Sequence, residues 1–138
     1  MPDEFLPQYK VLLRKANSDL AAALCTMCSD DQDLDIETIM FHLHQATEKY
    51  LKALLAKSNV HFDKNNDIAY LLDLCCTAGI SLPDFADELE SLNPYAVQGR
   101  YEILGPAAED MSESVSKVKS LRAHVEKLFD DRGAGRDD

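Results

Sequence analysis

Residues 36–55 of this chain read IETIMFHLHQATEKYLKALL, and apolar side chains recur in this stretch at steps of three and four residues. Because an α-helix has about 3.6 residues per turn, residues at these steps lie on one face of a helix. That face carries Ile36, Ile39, Met40, Leu43, Thr47, Tyr50, Leu51, Leu54 and Leu55. Asp35 stands where a helix cap is favoured, and Glu37 suits the positive N-terminal end of a helix. The stretch predicts a long amphipathic helix packed against a core.

Four further helices are predicted from the same spacing of apolar residues. The first precedes a polar turn at residues 29–33, and its apolar stripe consists of Leu12, Leu13, Ala16, Leu20, Ala23, Leu24 and Met27. The third begins at Asp67 and ends at Gly79, a residue type that commonly ends helices. The fourth begins at residues 81–84, a serine–proline helix-start signature, and ends at residues 93–94, where asparagine precedes proline. The last helix begins at Pro106 and carries a single apolar stripe.

Composition supports a single helical domain. The chain has 138 residues, with five glycines, five prolines and no tryptophan, which argues against a loop-rich β-sandwich. Hydrophobic residues make up 46% and charged residues 28%, so the chain is expected to fold. We predict an all-α fold, an antiparallel up-and-down bundle of about five helices with a four-helix-bundle-like core. The bundle is predicted to span residues 1–130, followed by a disordered polar tail at residues 131–138.

The charge balance limits the classes of partner. Fourteen basic and 25 acidic residues give a net charge of −11, which repels phosphate backbones and excludes a basic surface spread over the whole protein for binding DNA. The sequence shows no signal peptide and no segment apolar enough to cross a bilayer. We therefore expect a cytoplasmic protein without membrane contact, whose four cysteines are reduced thiols.

Two patterns invite a metal-site interpretation, and neither is strong. Cys25 and Cys28 resemble half of a zinc knuckle, with the Cys75–Cys76 pair as the other half, but the first pair ends a helical stripe. Cysteine as a small buried hydrophobic residue is the favoured interpretation. Of His42 and His44, only His44 shares a helix face with Glu48, which leaves too few ligands for a metal ion. We predict no metal site and no cofactor.

A polar strip runs along the second helix beside its apolar face. His42, Gln45, Lys49 and Lys52 recur at steps of three and four residues, so they share one side of the helix. The ordinary interpretation is a solvated face. The functional interpretation is a hydrogen-bonding basic strip that binds phosphate, a nucleotide or a partner helix.

The segment 93–102 also stands out in an acidic chain. Arg100 lies between Tyr95 and Tyr101, and such an arginine can clamp an anion while a tyrosine stacks on a base or a partner side chain. Equally, Arg100 can pair with Glu102 and tie a loop to the bundle. No glycine-rich phosphate loop and no GxSxG motif occurs, so hydrolase chemistry of those types is not indicated.

These pieces together resemble the HEPN domain family. Residues 41–55, FHLHQATEKYLKALL, are similar to its F-H-x-x-Q-A-x-E-K-x-L-K-A-L-L helix, and residues 16–20 resemble its A-x-x-D-L motif. Residues 66–72 resemble its H-D-L-x-x-L-L segment, with Asn66 in place of the histidine. Residues 96–101 resemble the element in which a small residue precedes Arg-Tyr. The resemblance extends from Tyr9 to Leu128.

The resemblance implies a prokaryotic homodimer whose usual partner is a minimal nucleotidyltransferase, in a toxin–antitoxin-like module. Many HEPN proteins are RNases in which a histidine follows an arginine by a few residues. Here no histidine follows Arg100 before His124, and Pro106 stands where some related toxins have tyrosine. Because RNA cleavage without a metal needs a general acid or base near the phosphate, we predict no catalytic residues and no RNase activity.

The leading hypothesis is a HEPN binding module that binds a nucleotide, an RNA or a cognate nucleotidyltransferase. Its predicted binding residues are His42, Gln45, Lys49, Lys52, Arg100 and Tyr101. The lysines and the arginine would contact phosphate, the glutamine would hydrogen-bond, and the tyrosine would stack. Two alternatives stay open: a metal-independent ribonuclease toxin that uses Arg100 with His42 or His44, and a purely structural helical scaffold.

Overall fold

The computed structural model describes residues 7–28, 36–65, 67–96 and 108–136, with the side chains of the last range described for residues 111–130. The elements are α1 (Gln8–Met27), α2 (Ile36–Lys57), α3 (Ile68–Thr77), a 3₁₀ helix (Ala86–Tyr95) and α4 (Ala108–Arg136). Within these ranges every regular element is a helix, which confirms the all-α bundle predicted from the sequence. None of the helices in the described ranges is long and apolar enough to cross a membrane.

Helix α2 lies at the centre of the bundle, in contact with α1, α3, α4 and the 3₁₀ helix. The predicted apolar face is confirmed: eight of its nine residues are buried and Ile36 is half-buried. Neighbours on several sides also bury His44, Ala46, Glu48 and Ala53. Because other helices contact α2 on several sides, it buries polar side chains that an amphipathic pattern would assign to solvent.

Helix α1 packs closely along α2 through small and medium side chains. Ala16, Leu20 and Ala23 of α1 are buried at helical spacing, as the sequence predicted for its stripe. The hydroxyl of Tyr50 donates a hydrogen bond of 2.6 Å to Asn17 Oδ1 across the two helices. Burial raises the pKa of Tyr50 above its ordinary value, so the phenol stays neutral and remains a donor.

The start of α3 is bound to the end of the 3₁₀ helix. Asp67 caps α3, as predicted, by accepting a hydrogen bond of 2.9 Å from the Ala69 amide. Asn93 accepts a bond of 2.9 Å from the Ile68 amide and donates one of 2.9 Å to Asp67 Oδ1. At its other end α3 is followed by Gly79 with a φ of 77°, which agrees with the predicted stop.

The fourth helix differs from the prediction in type and bounds. It is a 3₁₀ helix that begins at Ala86, not at residues 81–84, and it contains Pro94. Its buried side chains, Ala86, Leu89, Leu92 and Tyr95, recur at steps of three. Side chains three residues apart are eclipsed in a 3₁₀ helix, so this spacing places all of them on one face, whereas an α-helix would spread them.

The last helix carries the predicted stripe: Met111, Val115, Val118, Leu121 and Val125 are buried and Leu128 is half-buried. Its predicted start at Pro106 lies outside the described residues. Helix α4 continues to Arg136, into the segment 131–138 that was predicted as a tail. The domain boundary at residue 130 stays a prediction.

The cysteines do not behave as one class. Cys75 is buried, and burial raises its pKa to about 12, as expected for a small hydrophobic core residue. Cys25, Cys28 and Cys76 are exposed, so the interpretation as buried hydrophobic residues is wrong for these three. These three lie on the outer sides of α1 and α3. Residue type alone does not indicate which side of a helix a cysteine occupies.

Candidate functional site

Two of the predicted binding residues of α2 lie beside one carboxylate of α1. Lys49 Nζ lies 2.6 Å from Asp19 Oδ2, and His42 Nδ1 lies 3.5 Å from Asp19 Oδ1. All three side chains are partly exposed. Asp19 therefore pairs with the lysine and lies beside the histidine, while remaining in contact with solvent.

A second ion pair lies deeper on α2. Lys52 Nζ is 2.6 Å from Glu48 Oε2, and Glu48 is buried. The other carboxylate oxygen, Oε1, lies 4.0 Å from Nδ1 of His44, whose side chain is fully buried. The Lys52 ammonium also lies 5.7 Å from the ring centroid of Phe62. A buried carboxylate is costly unless it is paired, so Lys52 is required where Glu48 is ionised.

We use the name α1–α2 polar strip for the predicted binding residues of α2 together with the two carboxylates that pair with the lysines: Asp19, His42, Gln45, Glu48, Lys49 and Lys52. Two carboxylates and two ammonium groups balance each other within it, each ammonium being in contact with its carboxylate at 2.6 Å. The strip is thus not the simple basic surface that the spacing of its lysines indicated.

An aromatic side chain borders the strip. Phe41 stacks edge-on against His42 with ring centroids 5.3 Å apart. Phe41 is half-buried. Gln45, one turn further along α2, is also half-buried. The edge of the strip therefore combines an apolar ring, an amide and paired charges.

Sequence reasoning did not assign Asp19 and Glu48 to the site. A signal for Glu48 was present, because glutamate four residues before Lys52 is the favoured order for an ion pair on a helix. No local pattern indicates Asp19, since its two partners are on another helix. Arg100 and Tyr101 lie outside the described residues, so their predicted role in binding stays a prediction.

The arrangement restricts what acid–base chemistry the described residues can offer. His44, an alternative catalytic histidine, is fully buried and cannot contact an RNA in this structure. His42 is partly exposed and lies beside Asp19, so it is the histidine of the strip that can reach a ligand. In the described part of the chain no three His, Cys, Asp or Glu side chains group closely enough to hold a metal ion.

Comparison with known proteins identifies the family of the chain. Comparison with curated proteins and with solved structures finds no match. A scan against family models finds one whose description is HEPN domain, and it matches residues 9–128. The matched range contains α1 apart from Gln8, all of α2, α3 and the 3₁₀ helix, and most of α4. Because the model covers most of the chain, the protein belongs to the HEPN domain family.

Proposed function

We propose that this protein is a non-catalytic HEPN binding module that acts as a homodimer and binds a minimal nucleotidyltransferase in a toxin–antitoxin-like pair. The α1–α2 polar strip is its docking surface for that partner. The observation that carries the proposal is the pairing of Lys49 with Asp19 and of Lys52 with Glu48, both at 2.6 Å.

Internal pairing favours a protein partner over a free nucleotide or an RNA. A phosphate that approached either lysine would compete with a carboxylate already in contact with the ammonium group. The net charge of −11 adds a general repulsion of polyanions. A protein surface, by contrast, can contact the paired charges through hydrogen bonds without separating them.

The composition of the strip also suits a protein interface. Aromatic rings are enriched in such interfaces, and polar groups surround them at the rim. Phe41 supplies a half-buried ring in contact with His42, and Gln45 supplies a half-buried amide one turn along α2. We therefore place Phe41 and Gln45 at the centre of the contact, with Lys49 and Lys52 at its edge.

The test is co-purification with a small nucleotidyltransferase encoded by the neighbouring reading frame. The wild-type chain should elute with it as a complex, and Gln45→Ala should weaken the affinity by about tenfold, as expected for the loss of one hydrogen bond at an interface. Gln8→Ala is the matched control, because Gln8 is an exposed glutamine on α1 outside the strip. Equal affinities for both variants would exclude the strip as the docking surface.

Nucleotide and RNA binding is measured in the same series. ATP and a short single-stranded RNA should bind weakly, and Lys49→Met should change their affinity little, since that lysine is neutralised by Asp19. Tight RNA binding that Lys49→Met abolishes would instead support the nucleic-acid alternative. Light scattering of the free protein should give about twice the chain mass of 15.4 kDa, and a monomer would contradict the homodimer.

A further inference from the structure

Two exposed thiols stand as a pair at the C-terminal end of α1. Cys25 lies in the last turns of the helix, and Cys28 is its C-cap with helical backbone angles, φ −84° and ψ −1°. The Cys28 amide donates to the Leu24 carbonyl at 3.1 Å, so the helical turn is intact between the two cysteines. Residues three apart on a helix are neighbours, with Cβ atoms about 5–6 Å apart.

This spacing favours metal chelation over a disulfide. A disulfide needs Cβ atoms about 3.8 Å apart, so the helical turn would have to unwind to bring the two thiols together. Two thiolates on a tetrahedral zinc ion, with Zn–S bonds of about 2.3 Å, have sulfur atoms about 3.8 Å apart. Since each sulfur extends beyond its Cβ, a pair with Cβ atoms 5–6 Å apart, as on any helix, can reach this separation while the helix stays formed.

The electrostatic environment also favours a cation at this position. The C-terminal end of a helix carries the negative pole of the helix dipole, which lysine or arginine in the last turn commonly offsets. Helix α1 has no basic residue in its last turn. The whole chain has a net charge of −11, which adds a general attraction for cations.

The sequence alone favoured buried cysteines and no metal site, but both thiols are exposed. We propose that Cys25 and Cys28 form a two-thiolate chelate for a soft or borderline divalent metal ion of the zinc class, and that two copies of the chain share one ion. Structural zinc sites have four ligands, and no third ligand groups with these cysteines in the described part of the chain. A second copy supplies the missing pair. Each of the four thiols releases its proton to the buffer as its metal–sulfur bond forms, and no oxidant or reductant is consumed.

The experiment is a titration of the reduced full-length chain with Co²⁺, followed by displacement with Zn²⁺. Thiolate-to-cobalt charge-transfer absorption should saturate at about half an equivalent of metal per chain, and Zn²⁺ should remove it. Cys25→Ser and Cys28→Ser should each weaken binding by more than about a hundredfold, because the loss of even an outer-shell group costs about 10–100-fold. Cys76→Ser, which removes an exposed thiol on α3, is the matched control and should bind as the wild type does.

Two results would overturn the proposal. The first is cobalt absorption that persists in Cys25→Ser and Cys28→Ser, which would assign the ligands elsewhere. The second is saturation at one equivalent of metal per chain, which would exclude an ion shared between two copies. Because serine replaces exposed thiols, both variants are expected to fold, and circular dichroism verifies this. The outcome is independent of nucleotidyltransferase binding.

Discussion

Removing the lysine of the deeper ion pair should cost far more stability than removing the lysine of the shallower one. Lys49 and Lys52 lie on the same helix, and each ammonium is 2.6 Å from a carboxylate. The difference is exposure: the side chains of Lys52 and Glu48 are 15% and 7% exposed, whereas those of Lys49 and Asp19 are 25% and 18% exposed. Substitution of either lysine by methionine keeps the apolar stem and removes the charge.

The expected magnitudes follow from what each substitution leaves behind. Lys52→Met leaves a buried Glu48 carboxylate without its partner, which should cost about 3 kcal/mol, the lower end of the range for breaking a buried pair. Lys49→Met leaves the more exposed Asp19 carboxylate, which water can solvate, and should cost at most about 1 kcal/mol. The melting temperature should fall by roughly 10 °C in the first variant and by a few degrees in the second.

The assay is urea unfolding of both variants at neutral pH, with the double variant Glu48→Gln/Lys52→Met as the third protein. Removing both charges should restore more than half of the lost stability, about 2 kcal/mol. The slope of the free energy against urea should stay the same in all variants. Equal losses for Lys52→Met and Lys49→Met, or no recovery in the double variant, would refute the argument from burial.

Three further predictions concern other parts of the bundle. Asn93→Ala should destabilise the protein by about 1–3 kcal/mol in thermal unfolding, because the Ile68 amide and Asp67 lose their hydrogen bonds to Asn93; unchanged melting would contradict this role. The raised pKa of Cys75, about 12 against an ordinary 9.0, means that the unfolded thiol loses its proton first, so stability should fall as the pH rises from 9 toward 12. Cys75→Ala should flatten that decline relative to the wild type, and an identical slope would show that another group causes it. Finally, the wild-type chain should cleave single-stranded RNA no more than the Arg100→Ala variant does. Cleavage by the wild type that this substitution abolishes would establish a ribonuclease.

The helical character and much of the core could be predicted from the sequence, because both depend on periodicity. A stripe such as Ala16–Leu20–Ala23 needs only the 3.6-residue repeat to share a face. The cap at Asp67 and the stop at Gly79 were likewise predictable, since each depends on the preference of one residue type for local backbone geometry. The steps of three at residues 86–95 were also present in the sequence, but a 3₁₀ helix is seldom this long.

The lysines of the candidate site on α2 could be predicted from the sequence. Only the tertiary structure decided the electrostatic character of the site. The spacing placed Lys49 and Lys52 on one side of a helix, where they looked like a basic strip. Asp19, thirty residues before Lys49, neutralises one of them across the α1–α2 interface. Burial of Glu48 under several neighbouring elements turns an ordinary i,i+4 pair into a buried one. Charge pairing and burial depend on which helices become neighbours, and no periodicity within one helix contains that information.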